Sequence, residues 1–449
     1  MKEFDARGCY SFGKIINVTL PLLCSMLVEH IIGMTDTAFL GRVSETALGA
    51  SALGSVYFLA FFVLGSGFSY GAQIIIARRN GEKNYSKIGQ ICYAGGFFLL
   101  LMAIVLIFLI LFFSDDLLPL MVKSKDISKA TVKYINFRAY GLIFVFLNSL
   151  FRAFYVGIAR TRILTFASLA MVLSNVVLNY SLIFGKFGMP EMGIAGAALA
   201  SAVAEGIAMI CFVIFTLKTL DLHKYGFFDF KSCLDIGILK KVFAVSSWMM
   251  LQPFMSIGVW FFFFIAVERL GERPLAVINL ARAVSAMPFI IIHACATAAN
   301  SLISNLLGQN KPEQVKRLIL KMLASGVVTV VPLLLFFALF PELNLRLYTD
   351  NADLIKASVD IIYVMCISTF IQIFAFIFFN AVSGTGAVRM TVIIEAVTLM
   401  IYTLFVWVFI IRMRVSPAQA WCAEIIYQTV TVVLCLCYLV SGKWQNKRL

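Results

Sequence analysis

Charge is scarce in this chain. Only 23 of 449 residues are Asp or Glu, and charged residues of both signs make up 13%. A soluble domain carries about 25%, so a water-solvated globule is excluded. Histidine is scarcer: His30, His223 and His293 are the only three, and they lack HExxH spacing. No nucleophile–base pair presents itself, which argues against an intramembrane enzyme. The ten Cys contain no CxxC pair, so no metal site is indicated. Most lie in apolar stretches, where Cys behaves as a small hydrophobe. No GxxxxGK[ST] pattern occurs, which argues against ATP-driven pumping by this chain alone.

What fills the space is hydrocarbon. Apolar residues reach 61%, Phe alone contributes 42, and mean hydropathy is +0.94. Apolar runs near residues 12–40, 49–77, 88–113, 131–157, 162–185, 193–217, 239–267, 275–306, 317–340, 357–384, 390–411 and 416–440 predict twelve membrane helices. Each exceeds or approaches the roughly 20 residues needed to cross a bilayer. The polar start from Met1 to Gly13, followed by a long first run, does not read as a cleavable signal peptide.

The formal net charge of +14 is explained by topology rather than by nucleic acid. One set of alternate loops carries Lys14, then Arg78, Arg79, Lys83 and Lys87, then Arg160 and Arg162, then Lys218 to Lys241, then Lys311, Lys316, Arg317 and Lys321. The other set mixes signs, as in Asp115, Asp116, Lys123, Lys125 and Asp126. The excess of Lys and Arg on one side puts both termini in the cytoplasm, with the protein in the plasma (inner) membrane.

The chain is internally duplicated. Arg42 falls on Arg269, Glu45 on Glu272, Leu48 on Leu275, Gly81 on Gly308, Lys129 on Lys356, Gly157 on Gly384 and Arg162 on Arg389, each pair 227 positions apart. Six spans per half give both halves the same orientation. The expected fold is all-α, two six-helix bundles related by a pseudo-two-fold along the membrane normal. The expected division is an N-lobe over 1–220, a cytoplasmic linker over 221–241 and a C-lobe over 242–449.

Ionisable groups at membrane depth are costly and mark function. They are few: Glu29, Asp36, Arg152, Glu205, Arg282, Glu395 and Glu424, with His30 and His293. Glu29 and Asp36 are seven residues apart, so they share a helix face. Asn175 and Asn179 share a face of the fifth span, with Ser168 one heptad below, and Ser201 and Glu205 share one of the sixth. Three converging polar stripes would form a hydrated pocket able to hold a proton or to coordinate Na⁺ through oxygen. The competing reading is that Asn and Ser merely bind helices together. The second half differs: Asp36 maps to Phe263, Glu29 to Ser256, Asn175 to Tyr402 and Asn179 to Val406. Arg282, Gln372 and Glu395 remain its polar candidates. Glu395 and Glu424 lie near helix starts, where facing headgroups is the simpler reading. Pro21 precedes both acids of the first helix and permits a kink there.

These residues resemble a known family. Leu20-Pro21 followed by Met34 to Arg42 (MTDTAFLGR) resembles the first helix of MATE (multidrug and toxic compound extrusion) transporters. So do Asn175 to Asn179 (NVVLN) with Gly193 to Ser201 (GIAGAALAS), and Arg269 to Ala276 (RLGERPLA) with Leu302 to Gly308 (LISNLLG). The similarity covers nearly the whole chain and keeps the six-plus-six layout. It implies a cation-coupled antiporter expelling small amphipathic, often cationic, compounds. By resemblance Asp36 is the main coupling acid, Pro21 the bending proline and Ser201 the counterpart of a threonine. The family's Asn-then-Asp pair is Asn175 then Asn179 here, one carboxylate fewer. A seventh-helix glutamate of another branch falls near Ser256, and a tenth-helix acid near Thr369.

The expected mechanism is a drug/H⁺ antiporter working by alternating access. Asp36 carries the proton, Asn175, Asn179 and Ser201 support it, and Glu29 and Glu205 are secondary acids. Alternatives are Na⁺ coupling at the same Asp36 pocket, or a lipid-linked oligosaccharide flippase of the same superfamily. No cofactor beyond the coupling ion is expected, and partners are the substrates and membrane lipid. The chain is expected to be monomeric.

Overall fold

The computed structural model describes residues 8–122, 124–228 and 236–445, so part of the expected 221–241 linker lies outside the described residues. Its regular elements are helices: α1 (Phe12–Gly41), α2 (Glu45–Gly81), α3 (Ser86–Met121), α4 (Lys125–Ala139), α5 (Gly141–Gly157), α6 (Arg162–Phe184), α7 (Ile194–Thr219), α8 (Ile236–Glu268), α9 (Glu272–Gly308), α10 (Val315–Leu339), α11 (Pro341–Arg346), α12 (Ala352–Gly384), α13 (Val388–Phe405) and α14 (Pro417–Val440). Among the described residues, eleven stretches are long and apolar enough to span a membrane, and α4 with α5 makes a twelfth that bends by 50°. The protein is therefore a multi-pass membrane protein. The fourth span, expected to be one helix over 131–157, is instead this bent pair.

The duplication is visible in the elements. The boundaries of α2 and α9 differ by 227 residues at both ends, and both helices are 37 residues long. Such a helix is about 55 Å long, which outruns a hydrocarbon core of roughly 30 Å. Its polar ends, such as Arg78 and Arg79 in the last turn of α2, extend beyond the apolar stretch. The repeat counterpart of α4 plus α5 is α12, which runs unbroken. The α6 counterpart, α13, ends in a π-helical turn over Val406–Arg412.

The chain divides into two compact units, Leu20–Met250 and Met1–Thr19 with Leu251–Leu449. In the first, α6 lies against α7 because Gly196 has no side chain: a Cβ there would sit 2.5 Å from the Leu182 carbonyl oxygen. Gly65 makes the same room for Phe146, against which α2 packs on α5. Small residues are how helices approach closely in lipid, where no hydrophobic force drives them together. Buried Phe68, Ile74, Phe146 and Tyr155 fill this unit.

In the second unit α12 packs on α9 and α14. A Cβ at Gly384 would meet the Asn300 carbonyl oxygen at 2.5 Å. Its core gathers Phe263, Ile278, Ile361, Met365, Tyr402 and Trp421. The start of the chain joins this unit: Lys321 Nζ donates to the Tyr10 carbonyl at 2.7 Å, and Gln309 Nε2 to the Tyr10 hydroxyl at 3.0 Å.

Candidate functional site

The close α6–α7 packing presents Asn175 and Asn179, one turn apart on α6, to Ser201 on α7. Both asparagines are fully buried. Asn179 Nδ2 donates to Asp36 Oδ1 at 2.5 Å and to Asn175 Oδ1 at 3.0 Å. Ser201 Oγ donates to Asp36 Oδ2 at 3.2 Å and accepts from Asn175 Nδ2 at 3.1 Å. The result is a closed ring: amide to acid, hydroxyl to acid, amide to hydroxyl, amide to amide. Asn179 Oδ1 stays buried without a hydrogen-bond partner. The four residues that the sequence singles out for the pocket are thus adjacent.

Beside the ring lies a cavity of about 220 Å³ lined by Asp36, Tyr134, Arg138, Asn175, Ser201 and Glu205 among others. Glu205 faces the cavity, but both its oxygens are occupied. Arg138 grips it with two hydrogen bonds of 2.8 and 2.5 Å, and the guanidinium lies over the Phe58 ring at 4.1 Å. The break between α4 and α5 hosts this pair: a Cβ at Gly141 would lie 2.6 Å from Arg138 and 2.9 Å from Glu205. Arg138 and Tyr134 were not picked out from the sequence. The available signal was a basic residue inside an apolar run, whereas its partner stands 67 residues away.

Glu29 does not join Asp36. Seven residues of helix put them about 10 Å apart along the axis. Glu29 instead closes a second cluster with Arg152 on α5, which is salt-bridged to it. Ser168 on α6 donates to Glu29 at 2.6 Å and Ser25 at 3.1 Å. Arg152 also donates to Ser25 at 2.9 Å. At Pro21 the helix continues unbroken. The Pro21 carbonyl accepts from Thr165 Oγ1 of α6 at 3.0 Å.

In the other unit the sequence candidates scatter. Arg282 is exposed, 5.7 Å from the Phe264 ring centroid. Gln372 is half-buried on α12. Glu395, expected to face headgroups, is only 1% exposed. It accepts from Ser256 Oγ of α8 at 2.5 Å and from the Tyr427 hydroxyl of α14 at 2.8 Å. The headgroup expectation fails because α13 turns this face into the bundle.

Comparison with known proteins follows the same outline. The MatE family model matches residues 21–181 and again 249–408, one match in each half. A protein of Thermotoga maritima named "Probable multidrug resistance protein NorM" is 25% identical over 442 residues, covering 97% of this chain and 93% of the relative. The multidrug resistance protein NorM of Photobacterium profundum is 23% identical over 354 residues, 79% and 77% of the two chains. Among solved structures, an outward-facing MATE transporter of the MOP superfamily superposes with a TM-score of 0.88 at 16% identity, over 97% of this chain and 96% of that one. A MOP-superfamily transporter from Pyrococcus furiosus gives 0.86 at 17% identity over 97% and 96%. Two family matches that together cover most of the chain, on this twelve-span fold, show that it belongs to the MatE family of membrane transporters.

Proposed function

We propose that this transporter is a proton-coupled antiporter that exports small amphipathic, often cationic, compounds, with Asp36 as the proton carrier. The reading places it in the plasma membrane with both termini cytoplasmic, as the loop charges suggest. The observation that carries it is a contrast among the membrane-depth acids of the first half. Glu29 and Glu205 each hold an arginine, whereas Asp36 is held by neutral donors, Asn179 and Ser201. An arginine-paired carboxylate keeps its charge compensated throughout a cycle. A carboxylate among amides and hydroxyls can take a proton, give it up, and have either state hydrogen-bonded. Loss of the charge weakens the hold of α6 and α7 on α1, and Pro21 supplies a place for α1 to bend. The NorM relatives are named as multidrug resistance proteins, which supports drug export.

Na⁺ coupling has one observation in its favour. The unpartnered Asn179 Oδ1 is an oxygen ligand beside Asp36. Against it stands Arg138, a fixed cation on the same cavity wall. A flippase for pyrophosphate-linked sugars is disfavoured because Arg138 and Arg152, the arginines of the two polar clusters of the first half, are both neutralised. In proteoliposomes, efflux of a cationic dye is expected to follow an imposed pH gradient and not a Na⁺ gradient. Asp36→Asn abolishes it. A full response to Na⁺ at equal pH sinks proton coupling.

A further inference from the structure

The unit formed by residues 251–449 carries an open groove unrelated to the Asp36 ring. It lies between α8 and α13 and holds about 650 Å³, within the roughly 300–1,000 Å³ of small-molecule sites. Met255, Val259 and Phe262 form the α8 wall, and Leu399, Thr403 and Trp407 belong to the α13 wall. Apart from the Thr403 hydroxyl and the Trp407 indole, the lining side chains are apolar. Met400 and Leu404, also in the lining, are 63% and 60% exposed. At one end the two helices are tied together, Ser256 Oγ donating to Glu395 Oε1 at 2.5 Å. Met255 and Ala396, their neighbours in the chain, begin the groove there.

The other end is basic. α13 finishes in the π-helical turn Val406–Arg412, and the Met413 N–H donates to the Val408 carbonyl at 3.0 Å. Residues five apart on an α-helix point about 140° away from each other. A π turn, hydrogen-bonded between residues five apart, returns them toward one face, and such turns recur at functional sites. Arg412 accordingly stands over Trp407, its guanidinium 5.0 Å from the ring centroid. Arg414 follows. Both arginines are exposed, and among the described residues neither pairs with a carboxylate. The duplication did not supply this end. Trp407 corresponds to Tyr180, but Arg412 corresponds to Gly185, where α6 stops in a left-handed cap.

Length and charge select the occupant. Ala396 and Trp407 are about 16 Å apart along the helix. That is half of a hydrocarbon core roughly 30 Å thick, the depth of one lipid leaflet. Trp407 closes the apolar stretch as tryptophans do at the level of the headgroups, and the two arginines lie beyond it. The guanidinium fork matches phosphate oxygens. A cationic export substrate would meet two uncompensated cations at the mouth, so the groove suits an anion with an apolar tail.

From this apolar groove ending at an arginine pair, we infer that α8 and α13 bind one anionic phospholipid. Its phosphate sits on Arg412 and Arg414, and an acyl chain lies against Met255, Phe262 and Leu404. The Trp407 ring holds Arg412 in place by cation–π contact. The lipid acts as packing between two helices that the Ser256–Glu395 bond joins at one end.

The inference stands apart from Asp36, and Asp36→Asn is expected to leave lipid binding unchanged. Full-length protein is reconstituted in liposomes containing a phosphatidylglycerol with a photoactivatable group in mid-chain, or the matching phosphatidylcholine. After illumination the labelled peptides are mapped by mass spectrometry. Phosphatidylglycerol is expected to label groove residues of α8 and α13 with about tenfold the yield of phosphatidylcholine. Arg412→Gln/Arg414→Gln, at two exposed positions, is expected to make the yields equal. Thr403→Trp, which fills the groove, is expected to remove the label from both lipids. Equal labelling of the wild-type groove by the two lipids overturns the inference, as does an anionic preference that survives Arg412→Gln/Arg414→Gln or label confined to other helices. It is also overturned if an exported cationic dye competes the label away, which assigns the groove to substrate, or if α8 and α13 cross-link to a second copy of the chain instead.

Discussion

Three acids of the N-terminal half sit at membrane depth, and their partners assign them different work. Arg138 and Glu205 form a bidentate pair, with side chains 12% and 14% exposed. Removing one partner of such a pair leaves an uncompensated charge, at a cost of about 3–5 kcal/mol. Arg138→Gln is therefore expected to lower the melting temperature sharply, and Arg138→Gln/Glu205→Gln to recover most of the loss. A double variant as unstable as the single one would show that Arg138 acts through something other than Glu205. At the ring, Asn179→Asp adds a carboxylate beside Asp36 and is expected to make efflux respond to Na⁺. Unchanged ion dependence in that variant would mean Asn179 does not face the ion.

At the scale of elements, the telling feature is a difference between duplicated parts. The α4–α5 pair bends by 50° where its counterpart α12 is continuous. The bend brings Arg138 to Glu205 beside Gly141, where an added Cβ would meet the tips of the two side chains at 2.6 and 2.9 Å. Gly141→Ala is expected to separate the pair and cost about 1–3 kcal/mol through overpacking, read as a lower melting temperature. No loss would show that the neighbours give way freely. Pro21 poses the opposite test. α1 is continuous through it, so Pro21→Ala is expected to leave stability intact or improved while slowing transport. Wild-type rates in that variant would remove bending at Pro21 from the mechanism.

At the scale of the molecule, hydropathy and the 227-residue repeat made the twelve spans legible, because both are written in the order of residues. The stripes Asn175/Asn179 and Ser201 were legible for the same reason: helix periodicity turns spacing into a shared face. Pairing between distant helices was not legible. Nothing near Glu205 in sequence announces Arg138, and nothing near Glu395 announces Ser256 or Tyr427. The headgroup reading of Glu395 failed because position along a helix says how deep a residue lies, not which way it turns. Glu29 was grouped with Asp36 because they share a face, yet the helix rise separates them into two clusters.

The central claim, that Asp36 takes up and releases the transported proton, is tested most directly by proton counter-flux in proteoliposomes. Lumenal pH is followed with a trapped dye while substrate moves down an imposed gradient, with and without Na⁺. The account expects substrate movement to drive an opposite proton flux that needs no Na⁺ and is lost in Asp36→Asn. Proton flux of wild-type size in Asp36→Asn, with the substrate still transported, would contradict it.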